Sequence, residues 1–236
     1  MPQVSIVPLA RADLSFAPRR WPFADERRAD IDAHFAQLRR DKPDLWNGRV
    51  LLLYEHTIAD SVLSGTCLET DFASMMSWHH WGWPDATMCS CFGQAALQAA
   101  DGAFLLAVMA SHTMNGGRVY FPSGTPDPRD IVDGRVDLAG SVVRELAEET
   151  GLTVADVTPE PGWQAALSGA RIAMFKRMRA DTPADALRAR ILAHIAAEPQ
   201  PELADIRIVR GPDDLDPMMP DFVAAFLRHA WGGVHA

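Results

Sequence analysis

Three carboxylates, Glu145, Glu148 and Glu149, stand close together in the stretch Arg144-Glu145-Leu146-Ala147-Glu148-Glu149-Thr150-Gly151-Leu152. On a helix these positions are i, i+3 and i+4, so the three acids project within an arc of about 100°. Like charges on one stripe repel, and an ordinary surface helix interleaves lysines among them. No lysine occurs between Leu138 and Leu152. The pattern expects a cation from outside the chain. Hard oxygen donors with no His or Cys beside them suit Mg2+ or Mn2+. Arg144 can pair with one carboxylate and fix its rotamer. Gly151 is placed to end the helix in the left-handed conformation. A solvated acidic helix face is the competing reading of the three acids.

The nine residues RELAEETGL resemble the second half of the Nudix box, R-E-apolar-x-E-E-x-G-apolar, at every specified position. That resemblance implies an enzyme that splits the diphosphate linkage of a nucleoside diphosphate joined to another group. It also implies an α/β fold: an α/β/α sandwich with a mixed sheet, and the box as loop-helix-loop. Glu145, Glu148 and Glu149 would then hold the metal and one of them would act as base, with Arg144 beside them. The first half of the box departs from the pattern. The family places a glycine fourteen residues before the arginine and a glutamate eight before it; here those positions are Asp130 and Val136. Gly124, Gly134, Asp133 and Asp137 lie nearby, which suggests a shifted loop. Asp133 and Asp137 read first as turn and cap residues, with an outer metal shell as the alternative.

Attack of water on a diphosphate brings one anion toward another. A divalent ion would neutralise the oxygens and acidify the water, and a glutamate would take the proton. Further candidates lie outside the box. Gly124 offers backbone N–H groups to phosphate. Arg118 is a candidate substrate-binding residue, and Arg171 and Lys176 are further phosphate partners. The cluster Trp78, Trp81, Trp83 reads as core, with base stacking as the alternative. Cys89 and Cys91 with His79 and His80 could suggest zinc, but C-x-C differs from the usual C-x-x-C spacing, and buried free thiols are expected.

The elements that must position these groups follow from periodicity. Val4 to Leu9 is expected as a strand and Asp25 to Arg40 as a helix. Arg49–His56 and Ser61–Glu69 read as paired strands. Asp71 caps a helix Phe72–His80. Cys89–Ala99 and Ala103–Ala110 are strands joined at Asp101-Gly102. After Arg118–Phe121, the segment Pro122 to Asp137 is loop. Asp137 caps the box helix, whose Leu138, Val142 and Leu146 form an apolar face. Arg171–Arg177 reads as a strand, and Pro183–Ala197 as a helix capped by Thr182. Ile206–Val209 is a strand and Asp221–Trp231 a closing helix. The domain is expected over 48–236, with the box at about 124–152. Residues 1–47 are expected as an N-terminal extension that makes dimer or substrate contacts, so that a homodimer is favoured over a monomer.

The chain has 236 residues, 48% of them hydrophobic, and a formal net charge of −9. A nucleic-acid surface needs a basic face, so no nucleic-acid partner is expected. Three cysteines do not make a disulfide framework, which points to reduced thiols and a cytoplasmic protein. The first residues do not resemble a secretion signal. No apolar run nears the roughly 18 residues of a membrane span, so no membrane partner is expected. The arrangement W-N-G, strand pair, T-D-F is similar to Nudix branches that act on nucleotide sugars. The rival reading is a Nudix-fold module that binds a nucleotide without turnover; such modules often lose a box glutamate, and all three are present here.

Overall fold

The computed structural model describes residues 4–232. The elements in chain order are β1 (Ser5–Leu9), β2 (Arg11–Phe16), α1 (Pro22–Glu26), α2 (Arg28–Asp41), β3 (Arg49–Ala59), β4 (Val62–Asp71), α3 (Phe72–His80), β5 (Ser90–Gln98) and β6 (Phe104–Met109). The short strands β7 (Val119–Tyr120), β8 (Ser123–Gly124), β9 (Ile131–Val132) and β10 (Arg135–Val136) lead to helix α4 (Leu138–Thr150). There follow β11 (Thr158–Pro159), β12 (Trp163–Ser168), β13 (Arg171–Arg179), α5 (Ala184–Ala197), β14 (Leu203–Val209) and α6 (Asp221–Gly232).

The strands form two sheets. The larger runs β1-β12-β13-β5-β6-β14, with β11 paired to β13, β8 to β5 and β7 to β6, and the smaller runs β3-β4-β2-β10-β9. The larger sheet is mixed: β13 lies parallel to β5 and its other pairings are antiparallel. A backbone pair between Leu53 and Cys89 ties the sheets together, with N–O distances of 3.0 and 2.7 Å.

Helices cover both faces of the larger sheet, giving an α/β/α sandwich. On one face α4 buries Leu138, Val142 and Leu146. Val142 sits directly over Gly93 of β5, where any side chain would collide with it. On the other face α6 buries Phe222, Val223, Phe226 and Leu227. Phe226 stacks on Phe175 of β13 with centroids 4.2 Å apart, and Phe222 meets Phe92 of β5 at 5.6 Å. Offset aromatic packing of this kind fixes the helix against the sheet beyond the area it buries.

Several elements differ from the sequence expectation. The expected helix over Asp25–Arg40 is two helices, because Arg27 leaves the helical region at φ −104°, ψ 16°. Strand β12 lies in a stretch where periodicity predicts no element; it forms a hairpin with β13. Pro122–Asp137 is not all loop, since it holds β8, a turn of 3-10 helix at Pro128–Asp130 and the β9–β10 pair. Thr182 does not cap α5. That helix begins at Ala184 after an extended Pro183, with no side-chain cap. Within the stretch expected as an N-terminal extension, β1 pairs with β12 and β2 with β4, so it supplies a strand to each sheet.

Candidate active site

Helix α4 carries the carboxylates, and its ends are fixed locally. The Asp137 side chain accepts from the Gly140 N–H at 2.9 Å at the first turn. Gly151 closes the last turn at φ +69°, a conformation that costs a residue with a Cβ. The apolar face packed on β5 leaves the carboxylate stripe at the rim of the sheet.

Arg144 is the hub of this rim. Its guanidinium donates to Glu145 at 2.6 Å, to Glu148 at 3.2 Å and to Asp130 at 3.1 and 3.2 Å. The Asp130 side chain is only 4% exposed, and its other contact is the backbone N–H of Asp127 at 3.0 Å. Asp130 is the residue that stands where the box pattern has a glycine. It anchors the loop to the helix through Arg144, a role its spacing from the arginine did not announce. Glu148 is the exposed member of the set, and Arg129 approaches it at 3.9 Å.

Glu149, one turn after Glu145, is 8% exposed. Its Oε2 is buried without a hydrogen-bond partner. Burial, with the negative charges of Glu145, Glu202 and Glu148, holds this carboxyl well above the usual carboxylate range, and the Ser123 N–H on β8 pulls the other way. Burial also raises Glu145; Arg144 opposes the shift and Glu148 and Glu202 add to it. Glu202, just before β14, is a fourth carboxylate on this rim that the sequence reading did not single out. Nothing in its local sequence marks it, because only the fold brings it to α4.

Among the described residues, no three His, Cys, Asp or Glu side chains already gather as a metal cluster. Arg144 holds oxygens of Glu145 and Glu148 instead. The donor set nevertheless fits a divalent ion. An unpartnered buried carboxylate oxygen among like charges lacks a cation, and oxygen-only donors match Mg2+ or Mn2+. Glu149 and Glu145, with Glu148 at the open side, are the residues that would hold it.

A cleft of about 640 Å³ opens beside this rim. Ser123, Gly124 and Thr125 form its near wall. Gly124 sits against the Glu145 carboxyl, where a Cβ would overlap it. Arg118 and Arg171 both line the cleft, as do Trp83, His79 and Asn115. Arg171 lies between the rings of Trp83 and Phe222, at 5.7 and 5.2 Å, with Asp221 at 3.8 Å. Its guanidinium faces Nε2 of His79 at 3.3 Å. Burial, Arg171 and His80 lower the His79 pKa to about 4, so the ring is neutral at pH 7 and accepts through Nε2.

The remaining candidates lie elsewhere. Trp78 is fully buried and bonds the Asp85 carbonyl, while Trp81 packs on Phe23 and His34; of the three tryptophans only Trp83 lines the cleft. Lys176 donates to the Gly162 carbonyl over Trp163, outside the cleft. Asp133 occupies a turn at φ +49°. Cys67, Cys89 and Cys91 are buried free thiols, and burial pushes Cys67 and Cys89 up to about 12. Among the described residues no helix is long and apolar enough to cross a membrane.

No family model matches the chain, and no curated protein matches it. Solved structures do. A Nudix hydrolase from M. smegmatis, RenU, is 18% identical over 61% of this chain and 83% of its own, with a TM-score of 0.40. The MutT protein from Methanosarcina mazei is 17% identical over 62% of this chain and 95% of its own, at 0.41. The Bacillus subtilis pyrophosphohydrolase BsRppH is 11% identical over 80% of this chain and 96% of its own, at 0.39.

Proposed function

We propose that the chain is a Nudix pyrophosphohydrolase that depends on Mg2+ or Mn2+ and cleaves the diphosphate linkage of a nucleoside diphosphate joined to a further group. The observation that carries this reading is the Glu149 carboxyl, buried beside Glu145 with Oε2 unpartnered, against the Ser123 backbone that borders the cleft. A structural helix has no use for such a group. A site that receives a cation together with a polyanion does.

When bound, the divalent ion neutralises diphosphate oxygens and lowers the pKa of water. The chain's own residues do the rest. Glu145 and Glu149 hold the ion, with Glu148 completing the set. Arg144 fixes the Glu145 rotamer and balances the stripe. One of the helix carboxylates removes the proton of the attacking water. Gly124 presents its backbone to the phosphates, and its missing Cβ lets the Glu145 carboxyl lie against it. Arg118 and Arg171 offset the substrate's charge. Water adds to one phosphorus, the bridging P–O bond breaks, and two phosphate monoesters leave.

The alternative is a Nudix-fold domain that binds a nucleotide without turnover. Incubation with a panel of nucleoside diphosphate derivatives plus Mg2+, followed by mass spectrometry of the products, separates the two. Nucleotide sugars, dinucleotides, ADP-ribose and coenzyme A belong in the panel. Split diphosphates are the expected result; binding without cleavage across the panel would sink the hydrolase reading.

A further inference from the structure

Gln94 lies midway along β5 on the face turned toward α6, and it is 1% exposed. Phe92 and Ser90, two and four residues before it on the same face, line the cleft with it. Its Oε1 is buried without a hydrogen-bond partner. Buried amide groups are nearly always answered, and leaving one unanswered is costly. A second glutamine in the same cross-strand row, Gln164, also has an orphaned Oε1. Gln164 lines a separate cavity of about 300 Å³, away from the carboxylates. Gln94 alone of the two lines the cleft bordered by Ser123 and Gly124.

The surroundings of Gln94 restrict what can answer it. Met75, Met76, Phe92, Met219 and Phe222 make much of the wall. A flat group with apolar faces and an N–H on its edge would keep its faces against Met and Phe and give its proton to the amide. Methionine is unbranched and deformable, so Met75, Met76 and Met219 can yield to let that edge reach Oε1. Trp83 and Phe222, with Arg171 between them, line the same cleft.

We propose that this cleft takes the nucleobase of the substrate, edge toward Gln94, and that Gln94 decides which bases are accepted. The further group of the substrate then lies on the open side of the diphosphate. This inference rests on the diphosphate reading for what occupies the Gly124 end. A site built around a hydrogen bond discriminates strongly against a partner that lacks it.

Nucleoside monophosphates test it without hydrolysis, since they hold no anhydride to split. Calorimetric titration with the adenosine, guanosine, cytidine and uridine monophosphates should show at least about a tenfold spread in affinity for the wild-type protein. Gln94→Met, of similar volume and without the amide, should compress that spread to within about threefold. Gln94→Glu keeps an acceptor and should keep the wild-type order of bases, which leaves a test if Gln94→Met does not fold. Equal wild-type affinities, an unchanged spread in Gln94→Met, or an altered order in Gln94→Glu would each overturn the proposal. Parallel turnover assays keep the two readings apart. Base-selective binding without cleavage refutes the hydrolase and leaves the base site standing; cleavage with no base preference does the reverse.

Discussion

Arg144 holds three carboxylates with one guanidinium, and the consequences of removing it are unequal. Glu145 and Glu148 can turn toward water, whereas Asp130, at 4% side-chain exposure, cannot. Arg144→Ala should therefore destabilise the fold by about 2–4 kcal/mol, mostly through Asp130 left buried and unpaired. Adding Asp130→Asn should recover much of that loss without restoring turnover; a loss equal in single and double variants in denaturant melts would contradict this. His79 gives a pH-dependent prediction. Its folded pKa of about 4 lies below the unfolded value near 6.5, so the unfolded chain takes up the proton first. Stability from this group is complete above about pH 6.5 and is lost as pH falls toward 4. Discounted for the ring's partial exposure, the loss is about 1–2 kcal/mol. His79→Gln should flatten the stability profile across that window, and a profile identical to wild type would count against the assignment.

At the scale of elements, α4 was readable because several independent signals coincide in it. Leu138, Val142 and Leu146 mark its buried face, Asp137 its start and Gly151 its end, and all five do what their spacing says. The loop before it was less readable. Strands of two residues, such as β8 and β9, are too short to show alternation, and they exist only because β5 and β10 pair with them. Strand β12, with Gln and two alanines at its centre, carries no strong β signal and is stabilised by neighbours on both sides. The contact between β8 and α4 is open to a direct test. Gly124→Val would push the Glu145 carboxyl away from its place, and that side-chain end is flexible enough to move. Turnover should fall by roughly tenfold or more because the ligand is misplaced, while the melting temperature shifts by only a few degrees. A large drop in melting temperature at unchanged turnover would mean that Gly124 serves the fold alone.

On the scale of the whole molecule, the cleft is assembled from segments far apart in the chain, and this limits what a linear reading can find. Arg118, Gly124 and Arg171 were legible as single candidates and do meet in one cleft. Gln94 and Glu202 were not, because Gln94 on β5 and Glu202 just before β14 are unremarkable locally and matter only through what the sheet order puts beside them. Residues 5–16 show the same thing in reverse: they read as a leading extension and run as strands into both sheets. The account depends most on the carboxylate rim. Mn2+ uptake, followed by the loss of the free-ion electron paramagnetic resonance signal, tests it directly in wild type and in Glu149→Gln. The wild-type protein should bind the ion, and the substitution should weaken binding by about tenfold or more while leaving the fold intact. Equal uptake by both proteins, or none by either with a nucleoside diphosphate present, would contradict it.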